Sequence, residues 1–347
     1  MLKVGIIGCG AISAMHIEAY RRDARTQICA VASKSEQSAK AVGERLSVPF
    51  FTDYGALLER DDIDLVSICT PSGLHMEPAL YAAERGIHVL VEKPIEITTD
   101  RIDRMIEACR RNNVLLSCIF NNRFSDAYLL VKRAVEAGRF GRLLNANASV
   151  RWYRKPSYYT ESPWHGTLAL DGGGALMNQS IHYIDLLLWL VGEAESVSAY
   201  TGTLLHKSIE AEDTAVACVR FQNGALGTIL GTTSSYPGYP AELQLTGERG
   251  SVVVTDGVLT AWNFFDTDPL DDEAKALKER RHGPDARASD PMSFAAENHC
   301  RQISRVIDAI RNGERPDVDG AEARRSVALI EAIYRSAKTG ERVLLNG

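Results

Sequence analysis

The first third of the chain alternates short apolar runs with stretches that repeat at helical spacing. Residues 2–7, 27–32, 64–70, 88–91 and 114–120 read as buried strands. Between them, a helical pattern opens with Ala14, His16, Ile17 and Ala19, and further helical stretches cover 54–59, 78–85 and 101–110. Strands separated by helices of this length specify a parallel, doubly wound sheet. A helix over 126–137 follows the segment Asn121-Asn122-Arg123-Phe124, and from Leu143 the pattern changes. Residues 145–152, 195–203, 214–221, 226–232, 243–246 and 251–255 alternate polar with apolar positions, as in a mainly antiparallel sheet with one covered face. Gln222-Asn223-Gly224-Ala225 and Gly247-Glu248-Arg249-Gly250 mark turns between them. The polar stretch 266–288 reads as a loop or mobile insertion, and 293–312 and 321–339 close the chain as helices. The fold class is therefore α/β. A doubly wound parallel sheet covers residues 1–122, and an α+β domain with a mainly antiparallel open sheet covers 123–347, its last helices free to pack back on the first domain.

Composition narrows the partners. A chain of 347 residues exceeds what one hydrophobic core serves, in keeping with two domains. Its 39 basic and 45 acidic residues give a net charge of −6 and are mixed along the chain, which argues against nucleic acid or an anionic membrane surface as partner. No apolar run approaches the ~20 residues that cross a bilayer. The N-terminal strand pattern meets a glycine turn too soon for a signal peptide. Seven cysteines, none in a Cys-x-x-Cys pair, give neither a disulfide framework nor a metal site, so a reducing cytoplasm is the expected location.

The chemistry gathers at strand ends. Gly8-Cys9-Gly10-Ala11-Ile12-Ser13 lies between the first strand and a helix, the arrangement that seats a dinucleotide pyrophosphate on a helix N-terminus. Gly8 allows the tight turn and Gly10 the close backbone approach, while Ser13 stands at the third small position. The second strand ends in Ser33-Lys34-Ser35, with no carboxylate to bind a ribose 2′-hydroxyl. A hydroxyl and an ammonium attract a 2′-phosphate instead, which favours NADP over NAD. Thr70-Pro71-Ser72-Gly73-Leu74-His75 follows a later strand, where His75 either touches cofactor or simply caps or packs against the next helix. The run His88–Val91 stops in Glu92-Lys93-Pro94, because proline cannot continue a ladder. Further on, Gly172-Gly173-Gly174 precedes a helix on which Asn178, His182 and Asp185, four and three residues apart, share one face. Trp152-Tyr153-Arg154, Tyr158-Tyr159 and Trp164-His165-Gly166-Thr167 make an aromatic, hydroxyl-rich approach suited to a sugar or a nicotinamide ring, or to filling a seam between domains.

Together, Gly8-x-Gly10, Thr70-Pro71-x-x-x-His75, Glu92-Lys93-Pro94, Gly172-Gly173-Gly174 with His182-x-x-Asp185, and the closing Ala-Ile-Tyr-Arg-Ser-Ala-Lys-Thr-Gly (332–340) resemble the glucose–fructose oxidoreductase, inositol dehydrogenase and rhizopine catabolism family. The resemblance implies an N-terminal Rossmann domain and a C-terminal domain whose open sheet builds homodimers or homotetramers. It also implies hydride exchange between NADP or NAD and a secondary alcohol of a sugar, cyclitol or nucleotide-sugar. By position, Lys93 and His182 match the family's catalytic residues. Gly8, Gly10, Ala11, Ile12, Ser33, Lys34, Thr70, Pro71, His75, Glu92, Lys93 and Asn121 fall on the cofactor side. Arg123, Tyr153, Trp164, His165, Asn178 and Asp185 join Lys93 and His182 on the substrate side. Asn178 stands where inositol dehydrogenase-like members carry an aspartate, and an amide accepts no proton at any working pH. Proton traffic then runs through His182 and Lys93. The 164–179 region looks closest to members acting at the 3-hydroxyl of UDP-activated amino sugars. The same motifs also suit redox-assisted glycoside hydrolysis with a tightly held cofactor. A non-catalytic cofactor sensor would have no use for both Lys93 and His182.

Overall fold

The computed structural model describes residues 1–279 and 291–345, which fall into two compact units. The first joins Met1–Asn121 to Met292–Arg324, and the second contains the remaining described residues. In the first, strands β1 (Leu2–Ile7), β2 (Thr26–Ala32), β3 (Phe50–Phe51), β4 (Leu65–Ile68), β5 (His88–Val91) and β6 (Leu116–Cys118) form one sheet in the order β3-β2-β1-β4-β5-β6, every pairing parallel. Helices α1 (Ser13–Arg22), α2 (Glu36–Leu46), α3 (Tyr54–Leu58), α4 (Met76–Glu84) and α5 (Thr99–Arg111) connect them. Strand order reverses between β1 and β4, and beside such a reversal the carboxyl ends of the strands leave a crevice for a ligand.

The sheet core stacks Val4, Ile6, Leu65, Leu90 and Ile119 against Ile17 and Tyr20 of α1 and against Ile303, Val306 and Ile307. Burying each side chain of this size contributes roughly 2 kcal/mol. The last three lie at helical spacing on Pro291–Asn312, a closing helix that packs in the first unit, as the sequence reading allowed. The periodicity did not reveal α2 and β3. Within α2 only Ala39 and Gly43 are buried, too small to make an apolar stripe, and Gly43 lets Phe50 of β3 approach closely.

In the second unit, α6 (Asp126–Glu136), α7 (Pro156–Thr160) and α8 (Ile181–Val191) accompany an eight-stranded sheet. Its strands are β7 (Leu143–Arg151), β8 (Ala194–Gly202), β9 (Thr214–Phe221), β10 (Leu226–Thr232), β11 (Glu242–Gly247), β12 (Gly250–Thr255), β13 (Val258–Phe264) and β14 (Val343–Leu344), ordered β13-β12-β11-β7-β10-β9-β8-β14. Only the β7–β10 pairing is parallel. Alternate side chains Ala146, Ala148 and Val150 of β7 are buried on the face that α8 packs against. Strand β13 escapes the sequence pattern because it sits at the sheet edge and buries only Leu259 of its seven residues.

The stretch expected to be a loop from 266 to 288 contains a helix, α9 (Leu270–Glu279), and its remainder from 280 lies outside the described residues. Asp271, Asp272 and Glu273 in its first turn favour the positive end of the helix dipole. Asp271 accepts hydrogen bonds from Arg139 at 2.6 Å and from the Trp262 indole at 2.7 Å, which secures a helix that buries little else. The closing helices are α10 (Pro291–Asn312) and α11 (Gly320–Thr339).

Candidate active site

Every residue expected on the cofactor side follows the carboxyl end of a strand in the first sheet. A β-carbon on Gly8 (φ 96°) would collide with the Cys69 carbonyl just past β4, so the β1 turn requires glycine. At Gly10 an added β-carbon would meet nothing within 4 Å. Ser13 donates its hydroxyl to the Gly10 carbonyl at 2.7 Å and no side chain caps α1. An open glycine beside an uncapped helix N-terminus fits a dinucleotide pyrophosphate. Ser33 is half-buried and Lys34 exposed at the end of β2. Ser35 is committed to capping α2, accepting the Ser38 N–H at 3.3 Å.

His75 takes the packing role among those read from the sequence. It is 1% exposed, with Nε2 2.9 Å from the Thr70 carbonyl and Nδ1 3.0 Å from that of Pro94. It ties the β4 loop to the turn after β5 and has no surface left for a ligand. The cap of α4 is Glu96, whose carboxylate accepts the Met76 N–H at 3.0 Å.

Glu92 is likewise buried and is the centre of a closed network. Its Oε1 lies 2.9 Å from His16 Nε2 and 3.1 Å from His299 Nε2, and its Oε2 accepts the Lys93 backbone N–H at 3.0 Å. His16 Nδ1 meets the Ser67 hydroxyl at 3.1 Å, which is 2.6 Å from the Tyr20 hydroxyl. His299 Nδ1 receives the Asn121 amide at 2.9 Å. Asn121 and Ser67 thus occupy the outer ring nitrogens, leaving each inner N–H to point at the one carboxylate. Burial by itself would push the Glu92 carboxyl up, but the two histidine bonds prevail and hold it well below the usual carboxylate range. Burial lowers His16, which favours its neutral ring beside a charged Glu92. These are metal-ligand residue types within 4.8 Å of one another, yet their nitrogens and oxygens already satisfy one another. The effect is to fix the backbone at Lys93 and the amide of Asn121. Gln302, also on α10, adds bonds to the Phe120 N–H and the Cys118 carbonyl, at 3.0 and 2.8 Å. Sequence reading missed His16, His299 and Gln302; a polar residue inside the buried stripe of α1 or α10 was the available signal.

In the second unit the triple glycine leads into a π-helical stretch, Ala175–Ser180, that continues directly into α8. Of the three residues expected on one helical face, Asn178 and Asp185 are buried and His182 is half-buried. Asp185 is held by Arg123 through bonds of 2.8 and 2.6 Å, with both side chains at most 4% exposed. This pair, expected to meet substrate, instead anchors α8. Asn178 donates to Asp171 at 2.5 Å, and its carbonyl accepts from Gln179 at 2.8 Å. Gln179 in turn bonds Tyr158 at 2.9 Å and Arg154 at 2.6 Å. Tyr158 stacks on His165 at 4.2 Å, Trp164 lies 4.1 Å from His165, and Tyr153 packs edge-on to Tyr236. The aromatic approach is therefore wired to the His182 segment by amides and a guanidinium. A carboxylate missing at position 178 is supplied nearby by Asp171.

Residues 2–120 match the oxidoreductase family with an NAD-binding Rossmann fold, and residues 128–253 match the GFO/IDH/MocA C-terminal domain. The chain belongs to this oxidoreductase family and is an enzyme of the nicotinamide-dependent dehydrogenase class. The WlbA dehydrogenase from Bordetella pertussis, in complex with NADH and UDP-GlcNAcA, is 36% identical with a TM-score of 0.92, covering 100% of this chain and 98% of that one. Its counterpart from Chromobacterium violaceum, in the same type of complex, is 34% identical with a TM-score of 0.90, covering 99% and 96%. The myo-inositol 2-dehydrogenase of Thermotoga maritima is 27% identical over 99% of this chain and 98% of its own. No helix among the described residues is long and apolar enough to cross a membrane.

Proposed function

We propose that the enzyme exchanges hydride between a nicotinamide dinucleotide and a secondary alcohol of a UDP-activated amino sugar, with UDP-GlcNAcA as the reference substrate. The observation that carries this reading is whole-length similarity, at 36% identity, to a dehydrogenase holding NADH and that nucleotide-sugar. The cofactor would rest on Gly8, Gly10, Ala11 and Ile12, with Thr70, Pro71 and Asn121 at neighbouring strand ends, and it supplies the hydride-accepting ring when bound. His182 takes the hydroxyl proton as general base. Lys93 hydrogen-bonds the same oxygen and stabilises its developing negative charge. Glu92 holds the Lys93 backbone, and Asn178 is fixed by Asp171 and Gln179 rather than serving as a second base.

A second reading concerns the cofactor alone. Ser33 and Lys34 offer no carboxylate at the end of β2, which favours a 2′-phosphate and hence NADP. The NADH in both WlbA dehydrogenases supports NAD. A dehydrogenase screen with both cofactors against inositols, free hexoses and UDP-sugars tests the whole proposal. Turnover confined to inositols or free hexoses would overturn the substrate class, and the ratio of kcat/KM for the two cofactors decides between them.

A further inference from the structure

The triple glycine and the closing helix motif meet at one buried carboxyl. Glu212 Oε2 accepts the Gly174 N–H at 3.1 Å, and Oε1 accepts the Leu176 N–H at 2.8 Å and the Tyr334 hydroxyl at 3.0 Å. The Glu212 backbone carbonyl takes the Ala175 N–H between them at 2.9 Å. Three consecutive N–H groups at the start of the helical run 175–191 are thus satisfied by one residue from a distant part of the chain. No side chain of the run itself does this. The glycines follow from the same contact. A β-carbon on Gly174 would collide with the Glu212 carbonyl oxygen, and one on Gly173 with the Tyr334 hydroxyl. Only a chain without side chains at 173 and 174 can bring the helix start onto this carboxyl.

We propose that Glu212 and Tyr334 are positioning residues: they cap the helix that carries Asn178 and His182 and so set where His182 stands. The inference rests on the proposed role of His182. A cap acting through a carboxylate is sensitive to charge, because an ionised carboxyl accepts N–H bonds and complements the helix dipole better than a protonated one. Burial pushes the Glu212 carboxyl up to about 7, against the opposing bonds from Leu176, Tyr334 and Gly174. The groups facing it are those backbone N–H groups and Tyr334 of α11. Its neighbour Asp213 instead accepts bonds from the Leu204, Leu205 and His206 N–H groups. When Glu212 is protonated, its hydroxyl can donate to the Tyr334 oxygen at the same 3.0 Å contact, which reverses one bond and weakens the cap.

Tyr334→Phe and Glu212→Gln test this in the full-length enzyme through two readouts. Amide hydrogen exchange across residues 174–182 should accelerate in both variants. With UDP-GlcNAcA, kcat should fall roughly 10-fold or more from displacement of the base, while KM and the cofactor Kd hold. In Glu212→Gln the acid limb of kcat against pH should also shift, which mere loosening of the fold would not produce. Unchanged exchange in both variants overturns the cap, and faster exchange with native kcat overturns the positioning role. If the parent enzyme turns over no sugar at all, the proposed function fails, yet the exchange readout still decides the cap. If Glu212→Gln does not fold, Tyr334→Phe, which removes one oxygen, decides.

Discussion

At the scale of single residues, Asn178 shows how a departure from a family pattern becomes intelligible. Its amide lies 2.5 Å from the Asp171 carboxylate, so a second carboxylate there would face a like charge in a buried site. Asn178→Asp is expected to destabilise the protein by roughly 1–3 kcal/mol near neutral pH and to regain stability on acidification, as one carboxyl takes up a proton. Urea titrations at two pH values check both the size and the direction. In the proposed reaction Lys93 and His182 carry the chemistry instead. Lys93→Met or His182→Ala should lower turnover by ~10²-fold or more with cofactor binding intact, read by steady-state kinetics beside a fluorescence titration of the reduced cofactor. Near-native turnover in both would remove them from the reaction.

At the scale of elements, what the sequence revealed depended on how local the physics was. Strands β1 and β5, the glycine turn and the Glu92-Lys93-Pro94 stop are written in a few consecutive residues, and the place of the turn and the stop at the carboxyl ends of the strands follows from parallel topology. The partners of those residues are not local. His299 reaches Glu92 across 207 positions and Gln302 reaches Phe120 across 182, so no window of sequence contains both ends of either bond. Asp185 misleads for the same reason. Spacing puts it on a face with His182, but Arg123, 62 residues earlier, occupies it. That pair gives α8 its anchor. Arg123→Leu should cost about 3 kcal/mol or more by leaving the Asp185 charge buried and unmatched, whereas Arg123→Leu with Asp185→Leu should recover much of the loss. Chemical denaturation of the single and double variants measures the difference.

At the scale of the whole molecule, two buried carboxyls give stability a particular dependence on pH. Glu92 is held below the usual carboxylate range, so the stability it contributes is present above its unfolded value of about 4.5 and lost as pH falls through its lower folded value. Glu212 has the opposite sign. Its folded value of about 7 exceeds the unfolded 4.5, so between these the folded state holds a proton that the unfolded state has released. Stability therefore falls as pH rises through that window, by up to about 3 kcal/mol. Glu212→Gln should flatten this decline, and melting curves across the window would show it. The oligomer expected from the sequence would cover the exposed Tyr200, Val216 and Leu226 on adjoining strands of the second sheet, and a monomer by light scattering at micromolar concentration would count against it.

The proposed reaction is the oxidation of a UDP-activated amino sugar by a bound nicotinamide dinucleotide. Its most direct test is to mix the purified enzyme with UDP-GlcNAcA and oxidised cofactor and follow the appearance of reduced cofactor alongside the sugar product. Reduced cofactor is expected in step with a keto-sugar that keeps its UDP, abolished in Lys93→Met and His182→Ala. Reduced cofactor that fails to appear with UDP-GlcNAcA while an inositol or free hexose is turned over, or release of free sugar without net reduction, would contradict it.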